Sequence, residues 1–136
     1  MPDMRLNLAV VMDPIADIKP AKDTTLAMML AAQRRGWQLS YLELRHLWLR
    51  DGVAYGRAHP VTVRDDLADW YTLGEPATVP LGSFDAILMR KDPPFDTEYI
   101  YATYILERAA DAGALVVNRP QGLRDMNEKV YTAWFP

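Results

Sequence analysis

The chain has 136 residues, of which 50% are hydrophobic and 24% are charged, and its formal net charge is −3. This composition predicts one globular domain with a proper core, and the lack of a basic stripe argues against nucleic acid as a partner. With no cysteine and no apolar run near ~18 residues, the sequence predicts no disulfide, no thiol nucleophile and no membrane-spanning helix.

The first third of the chain predicts a β-α-β unit. Residues 5–12 form a short, nearly continuous apolar run, which is typical of a strand buried on both faces in a parallel sheet. Two prolines and three aspartates follow, and Asp23 or Thr24 can cap a helix that stops at Gly36. Residues 37–42 then predict a second strand. The N-terminus lacks the cleavage site of a signal peptide, so a cytoplasmic protein is expected.

The middle of the chain predicts antiparallel structure. Asp51 and Gly52 stand between two apolar runs, and this dipeptide is a strong signal for a two-residue hairpin. Further short extended pieces follow, without a convincing helix. Residues 47–73 are therefore interpreted as an antiparallel excursion from the α/β pattern.

The remaining third returns to alternating strands and helices. Residues 84–89 and 114–118 predict strands, and Asp96 can cap a long helix that Gly113 ends. The apolar face of this helix is predicted to contain Ile100, Tyr101, Tyr104, Ile105, Ala109 and Ala112. Asp125 and Glu128 have capping-box spacing for a last helix. The alternation favours an α/β fold in three layers, with a doubly wound parallel sheet and a small antiparallel hairpin insert.

Several kinds of site chemistry are poorly supported by the residues. The seven glycines form neither a dinucleotide fingerprint nor a phosphate loop, and neither of the two serines lies in a nucleophile elbow. His46 and His59 are too few for a zinc site, so no metal site and no catalytic residue is predicted. His59 is interpreted as a loop residue and His46 as partly exposed.

Two loops stand out as candidate ligand sites. Residues 12–15 follow the first strand and residues 90–96 follow the fourth, and ligands of open α/β sheets bind beyond such carboxyl ends. Arg90 and Lys91 can hold a carboxylate, while Pro93 and Pro94 stiffen the loop. In the alternative interpretation the prolines merely end a strand and Asp96 merely caps a helix. The tyrosines of the long helix suit a core position or a subunit contact.

The stretches "ILMRKDPPFDTEYIYATYILERA" and "VVNRPQGLRDMNEKVYTAWF" resemble the N-terminal domain of the bacterial-type glutathione synthetase. The resemblance covers essentially the whole chain and is weakest between about residues 52 and 82. It implies a single pre-ATP-grasp (Rossmann-like) domain over residues 1–136. It also implies an ATP- and magnesium-dependent ligase that joins γ-glutamylcysteine to glycine through an acyl phosphate, in a cytosolic homo-oligomer.

The resemblance assigns candidate residues as well. Lys129 falls on a family lysine that reaches the nucleotide. The positions that fall on segments lining the substrate side of the cleft are Asp13, Pro14, Ile15, Arg90, Lys91 and Asp92. The ATP-grasp domain is not in this sequence, so the chain alone is expected to be inactive. The alternative is a free-standing α/β binding module, and a ligase with a different amino-acid substrate is a third interpretation.

Overall fold

The structure is a computed structural model and describes residues 6–91 and 96–117. This part of the chain contains an eight-stranded sheet and two α-helices. The strands are β1 (Asn7–Val11), β2 (Gln38–Leu42), β3 (Leu47–Arg50), β4 (Val53–Val63), β5 (Tyr71–Leu73), β6 (Ala77–Pro80), β7 (Ala86–Met89) and β8 (Leu115–Val117), and the helices are α1 (Thr24–Arg34) and α2 (Thr97–Asp111). The last helix predicted around Asp125 lies outside the described residues.

The centre of the sheet is parallel and buried on both faces. Strands β2, β1, β7 and β8 lie side by side in that order, each pair parallel. Successive residues of β1 point to opposite faces, so Leu8 and Val10 pack in the core on the α1 side while Ala9 and Val11 pack with α2. The predicted α/β fold with a layer of helix on each face is confirmed.

The antiparallel excursion is confirmed and is larger than a single hairpin. Asp51 and Gly52 both have positive φ, 52° and 76°, as the type I′ turn between β3 and β4 requires. The long strand β4 also pairs antiparallel with β2, β5 and β6, so the excursion extends the central sheet. His59 lies in β4 and not in a loop, and that expectation was wrong because β4 continues through Pro60.

Side-chain caps begin both helices where the sequence predicted them. The Asp23 carboxylate accepts a hydrogen bond from the Leu26 N–H at 2.8 Å, and the Asp96 carboxylate accepts one from the Tyr99 N–H at 2.9 Å. Beyond α1, Gly36 has φ 81°, and beyond α2, Gly113 has φ 117°, both in the left-handed region that favours glycine. Neither described helix is long and apolar enough to cross a membrane.

The buried face of α2 differs from the predicted one. Ile105 and Ala109 are buried as expected, and Ala102 and Leu106 complete the face. The other predicted members point outward, with Ile100 49%, Tyr101 50% and Tyr104 58% exposed and Ala112 also exposed. The alanines let the helix lie close to the sheet, whereas a phenol ring carries a hydroxyl that favours water.

Candidate functional site

The two loops singled out in the sequence meet at one edge of the sheet. β1 and β7 are parallel neighbours with Val11 opposite Met89, so both chains leave the sheet at the same end. A cleft of about 620 Å³ opens there, between the loop after β1, the start of α1 and Arg90. Its lining residues are Met12, Asp13, Pro14, Asp17, Ile18, Lys19, Lys22, Asp23, Thr24, Thr25 and Arg90.

Arg90 is held in place by contacts to both neighbouring elements. Its backbone N–H donates to the Val11 carbonyl at 2.7 Å, which continues the sheet by one step. Its Nε donates to the Thr25 hydroxyl at 3.2 Å, and Thr25 is itself a buried side chain at the start of α1. Among the residues that the structure describes, the terminal guanidinium nitrogens have no hydrogen-bond partner. Because Arg90 lines the cleft, a guanidinium of the kind that binds a carboxylate in a bidentate way stands at the cleft wall.

Lys91 forms an ion pair across the two loops. Its Nζ lies 2.9 Å from Oδ1 of Asp13, and the two side chains are 24% and 32% exposed, respectively. The pair thus ties the loop after β7 to the loop after β1. The positive charge of Lys91 is directed to an acid of the chain itself, while Arg90 faces the cleft.

Pro14 and Ile15 occupy the same loop with different roles. Pro14 is exposed at the cleft, whereas the Ile15 side chain is 2% exposed and belongs to the core on the α1 side. Ile15 therefore contributes to the position of the loop and not to the lining of the cleft. Asp92 and Lys129, the other two candidate site residues, lie outside the described residues.

Six polar residues that the sequence did not single out as site residues also line the cleft: Asp17, Lys19, Lys22, Asp23, Thr24 and Thr25. The signal was available, since the segment between β1 and α1 combines several charges with two prolines. A strand break and a helix cap explain only part of this pattern. Its position ahead of a helix N-terminus, where partial positive charge collects, also points to a ligand site.

A hydrogen-bonded pair lies behind the cleft wall. The Tyr41 hydroxyl donates to a Glu43 carboxylate oxygen at 2.6 Å and accepts from the Ile15 N–H at 3.2 Å. Burial, followed by the bond to Glu43, raises the pKa of Tyr41 well above its usual value. Burial alone would raise the pKa of Glu43, but hydrogen bonds from Tyr41 and Arg45 outweigh it and lower that pKa. The phenol therefore stays protonated and the carboxylate stays charged at neutral pH.

The two histidines lie near Tyr41, with His46 in the turn before β3 and His59 in β4. Their ring centroids are 6.0 Å apart, and neither lines the cleft. Burial lowers the pKa of His46, whose Nδ1 accepts the Glu43 backbone N–H at 2.9 Å. Within residues 6–91 and 96–117, no group of three or more histidine or acidic side chains could hold a metal ion.

Comparison with known proteins agrees with the resemblance in the sequence. The family model described as prokaryotic glutathione synthetase, N-terminal domain, matches residues 6–124. A glutathione synthetase of Yersinia pestis is 56% identical over 131 residues, which is 96% of this chain and 41% of that protein. A glutathione synthetase of Vibrio cholerae is 58% identical over the same lengths, and one of Shewanella oneidensis is 55% identical over 130 residues.

The match includes every described element and both loops of the cleft. The chain spans about two fifths of the length of the curated relatives it matches, 41% for both the Yersinia pestis and the Vibrio cholerae protein. The chain therefore belongs to the family of prokaryotic glutathione synthetase N-terminal domains.

Proposed function

We propose that this chain is the substrate-side N-terminal part of a glutathione synthetase, the ligase that uses ATP to join γ-glutamylcysteine to glycine. The observation that carries the proposal is 56% identity across 96% of the chain to a protein of that name. The matched length includes the cleft at the carboxyl ends of β1 and β7, so the proposal concerns this site as well as the family.

The charges of the cleft suit the peptide substrate. γ-Glutamylcysteine carries an ammonium group and two carboxylates at neutral pH, so its site needs groups of both signs. Arg90 and the N-terminus of α1 offer favourable partners for a carboxylate, and Lys19 and Lys22 add positive charge. Asp17 offers a partner for the ammonium group, because Asp23 caps α1 and Asp13 pairs with Lys91.

The acyl-phosphate step would be completed by other parts of the enzyme. Phosphoryl transfer depends on positioning and on stabilising negative charge, for which Mg²⁺ is the usual agent. The described residues contain no cluster of three or more metal-ligating side chains, so we place the magnesium ligands elsewhere. Lys129 is proposed to reach ATP. The chain alone is accordingly proposed to be inactive, and the complete enzyme to be cytoplasmic.

A homo-oligomer is the proposed state of the complete enzyme. Three large side chains on one stretch of α2 support an interface there, since Ile100, Tyr101 and Tyr104 are each about half exposed. Exposed apolar groups clustered on one helix are typical of a surface that another domain or subunit covers. Sedimentation of the chain at rising concentration tests this, and a strictly monomeric chain would favour coverage within the same subunit.

The function is tested with a chimera. The segment of the Vibrio cholerae relative that aligns with this chain is replaced by this chain, and phosphate release is measured with ATP, glycine and γ-glutamylcysteine. We expect turnover that needs all three substrates, and none from the chain alone. Turnover with a different acceptor amino acid would indicate another ligase. A chimera that folds but never turns over would leave the free-standing binding module as the better interpretation.

The role of Arg90 is tested in the same chimera. Arg90→Ala removes a charge-assisted bond to a substrate carboxylate, a loss of about 1.5–3 kcal/mol, so we expect the KM for the peptide to rise about tenfold or more. The KM for ATP should stay unchanged. Arg57→Ala is the matched control, because Arg57 is an exposed residue of β4 that does not line the cleft. Unchanged peptide kinetics would return Arg90 to a purely structural role.

A further inference from the structure

The backbone of Ile15 is held on both sides by polar side chains. Its N–H donates to the Tyr41 hydroxyl at 3.2 Å, and its carbonyl accepts from Nε1 of Trp70 at 3.1 Å. Ile15 stands in the loop after β1, between the cleft residues Asp13 and Asp17. Both peptide groups that flank Ile15 are therefore fixed by side chains distant in the sequence.

Tyr41 presents its hydroxyl in one defined orientation. Its proton is directed to Glu43 at 2.6 Å, which leaves an oxygen lone pair for the Ile15 N–H. The Glu43 carboxylate accepts a hydrogen bond from Nε of Arg45 at 3.1 Å. The Glu43 backbone N–H donates to Nδ1 of His46. The Tyr41 side is thus a small network anchored on the end of β2.

Trp70 is presented by the antiparallel excursion. The segment before β5 is fastened to the end of β4 by Arg64, whose backbone N–H donates to the Trp70 carbonyl at 2.8 Å. The Arg64 guanidinium also donates to the Tyr71 carbonyl at 3.0 Å and to the Asp69 carboxylate at 2.9 Å. These bonds hold the backbone of the segment from which the indole reaches the Ile15 carbonyl.

We propose that Tyr41 and Trp70 are positioning residues that clamp the Ile15 backbone and thereby set the wall of the peptide cleft. The kinetic part of this inference rests on the proposed function. Packing alone would need only apolar side chains at these two places, whereas here two polar groups satisfy the two polar groups of one loop residue. The clamp gives the antiparallel excursion a role in the site, because it carries Trp70 to a loop 55 residues away in sequence.

The clamp is tested first by hydrogen exchange at the Ile15 amide in the 136-residue chain. Tyr41→Phe removes the acceptor of this N–H and keeps the ring, so we expect exchange to become roughly tenfold faster, the factor equal to about 1.4 kcal/mol. Trp70→Phe removes the bond to the Ile15 carbonyl, and we expect a several-fold increase. Tyr55→Phe and Trp48→Phe are matched controls, because these rings stack on each other in the β3–β4 hairpin and do not line the cleft.

The positioning role is tested by steady-state kinetics in the chimera. We expect both clamp variants to raise the KM for γ-glutamylcysteine roughly tenfold, the equivalent of one lost hydrogen bond, while kcat changes far less. Exchange at Ile15 equal to wild type in both variants overturns the clamp. Faster exchange with a peptide KM like that of the controls overturns the positioning role. A parent chimera without turnover refutes the proposed function instead. Hydrogen exchange at Ile15 then still tests whether Tyr41 and Trp70 hold the Ile15 backbone. Should Tyr41→Phe fail to fold, Trp70→Phe decides both points.

Discussion

The ion pair between Lys91 and Asp13 should measurably hold the two cleft loops together. The perturbation is a double-mutant cycle with Asp13→Asn, Lys91→Met and the combined variant. Each substitution removes one charge of a contact that measures 2.9 Å between Nζ and Oδ1. Their coupling free energy isolates the pair from other contacts that either side chain makes.

The expected magnitude follows from the burial of the two side chains. Fully exposed ion pairs contribute about 0.2–1 kcal/mol, because water and salt screen them. Lys91 and Asp13 are only 24% and 32% exposed, so we expect a coupling of about 1 kcal/mol, at the upper end of that range. The control pair Arg108 and Asp111 lies on the exposed end of α2 at 3.4 Å, with exposures of 55% and 63%, and should couple by about 0.3 kcal/mol.

The assay is urea unfolding of the chain and of the variants in both cycles, at low salt and at about 1 M salt. Since less exposed pairs are screened less, the Lys91–Asp13 coupling should survive high salt better than the control coupling. A Lys91–Asp13 coupling no larger than that of the control pair would refute the reasoning. The sheet and the Thr25–Arg90 contact would then be the better explanation of how the loops are held.

Three further predictions concern a helix cap, pH and activity. Asp96→Ala should lower the free energy of unfolding by roughly 1 kcal/mol, because it removes the cap of α2. The control Asp111→Ala, at the other end of α2, should leave the free energy of unfolding nearly unchanged. An unchanged denaturation midpoint for Asp96→Ala would show that the cap contributes nothing. Burial lowers the pKa of His46 in the folded chain below its ordinary 6.5, so as pH falls His46 is protonated in the unfolded chain first. The free energy of unfolding should therefore decrease from about pH 6.5 down to the pKa of His46 in the folded chain, and level off below it. His46→Gln should flatten that decrease in urea titrations, His59→Gln should retain it, and an identical slope in His46→Gln would contradict the assignment. The 136-residue chain should release no phosphate above a no-protein control when ATP, glycine and γ-glutamylcysteine are present, and ATP- and glycine-dependent release would disprove its inactivity.

Some of the site was predictable because it depends on connectivity. Parallel strands end at the same edge of a sheet, so the loops after residues 5–12 and 84–89 had to be candidates for a ligand site. The proximity of Asp13 to Lys91 and the orientation of Arg90 were not predictable. They depend on β1 and β7 being direct neighbours, and the strand order was not encoded in either loop.

The face of α2 shows why pattern alone can mislead. Tyrosine is apolar along its ring and polar at its tip, so Tyr101 and Tyr104 fit a buried or an exposed face equally well. The small residues decided the outcome, since Ala102 and Ala109 allow close packing against the sheet.

What the sequence by itself determined is local. Asp23 and Asp96 as caps, the Asp51-Gly52 turn and the helix-ending glycines all act through their own or adjacent backbone groups, so residue type is sufficient to predict them. Only the tertiary structure decided which distant side chains meet. Arg90 reaches Thr25 across 65 residues and Trp70 reaches Ile15 across 55, and many polar side chains could have made such bonds. The choice among them is set by the packing of the sheet and helices, because a hydrogen bond requires its two groups to be brought within about 3 Å by the rest of the fold.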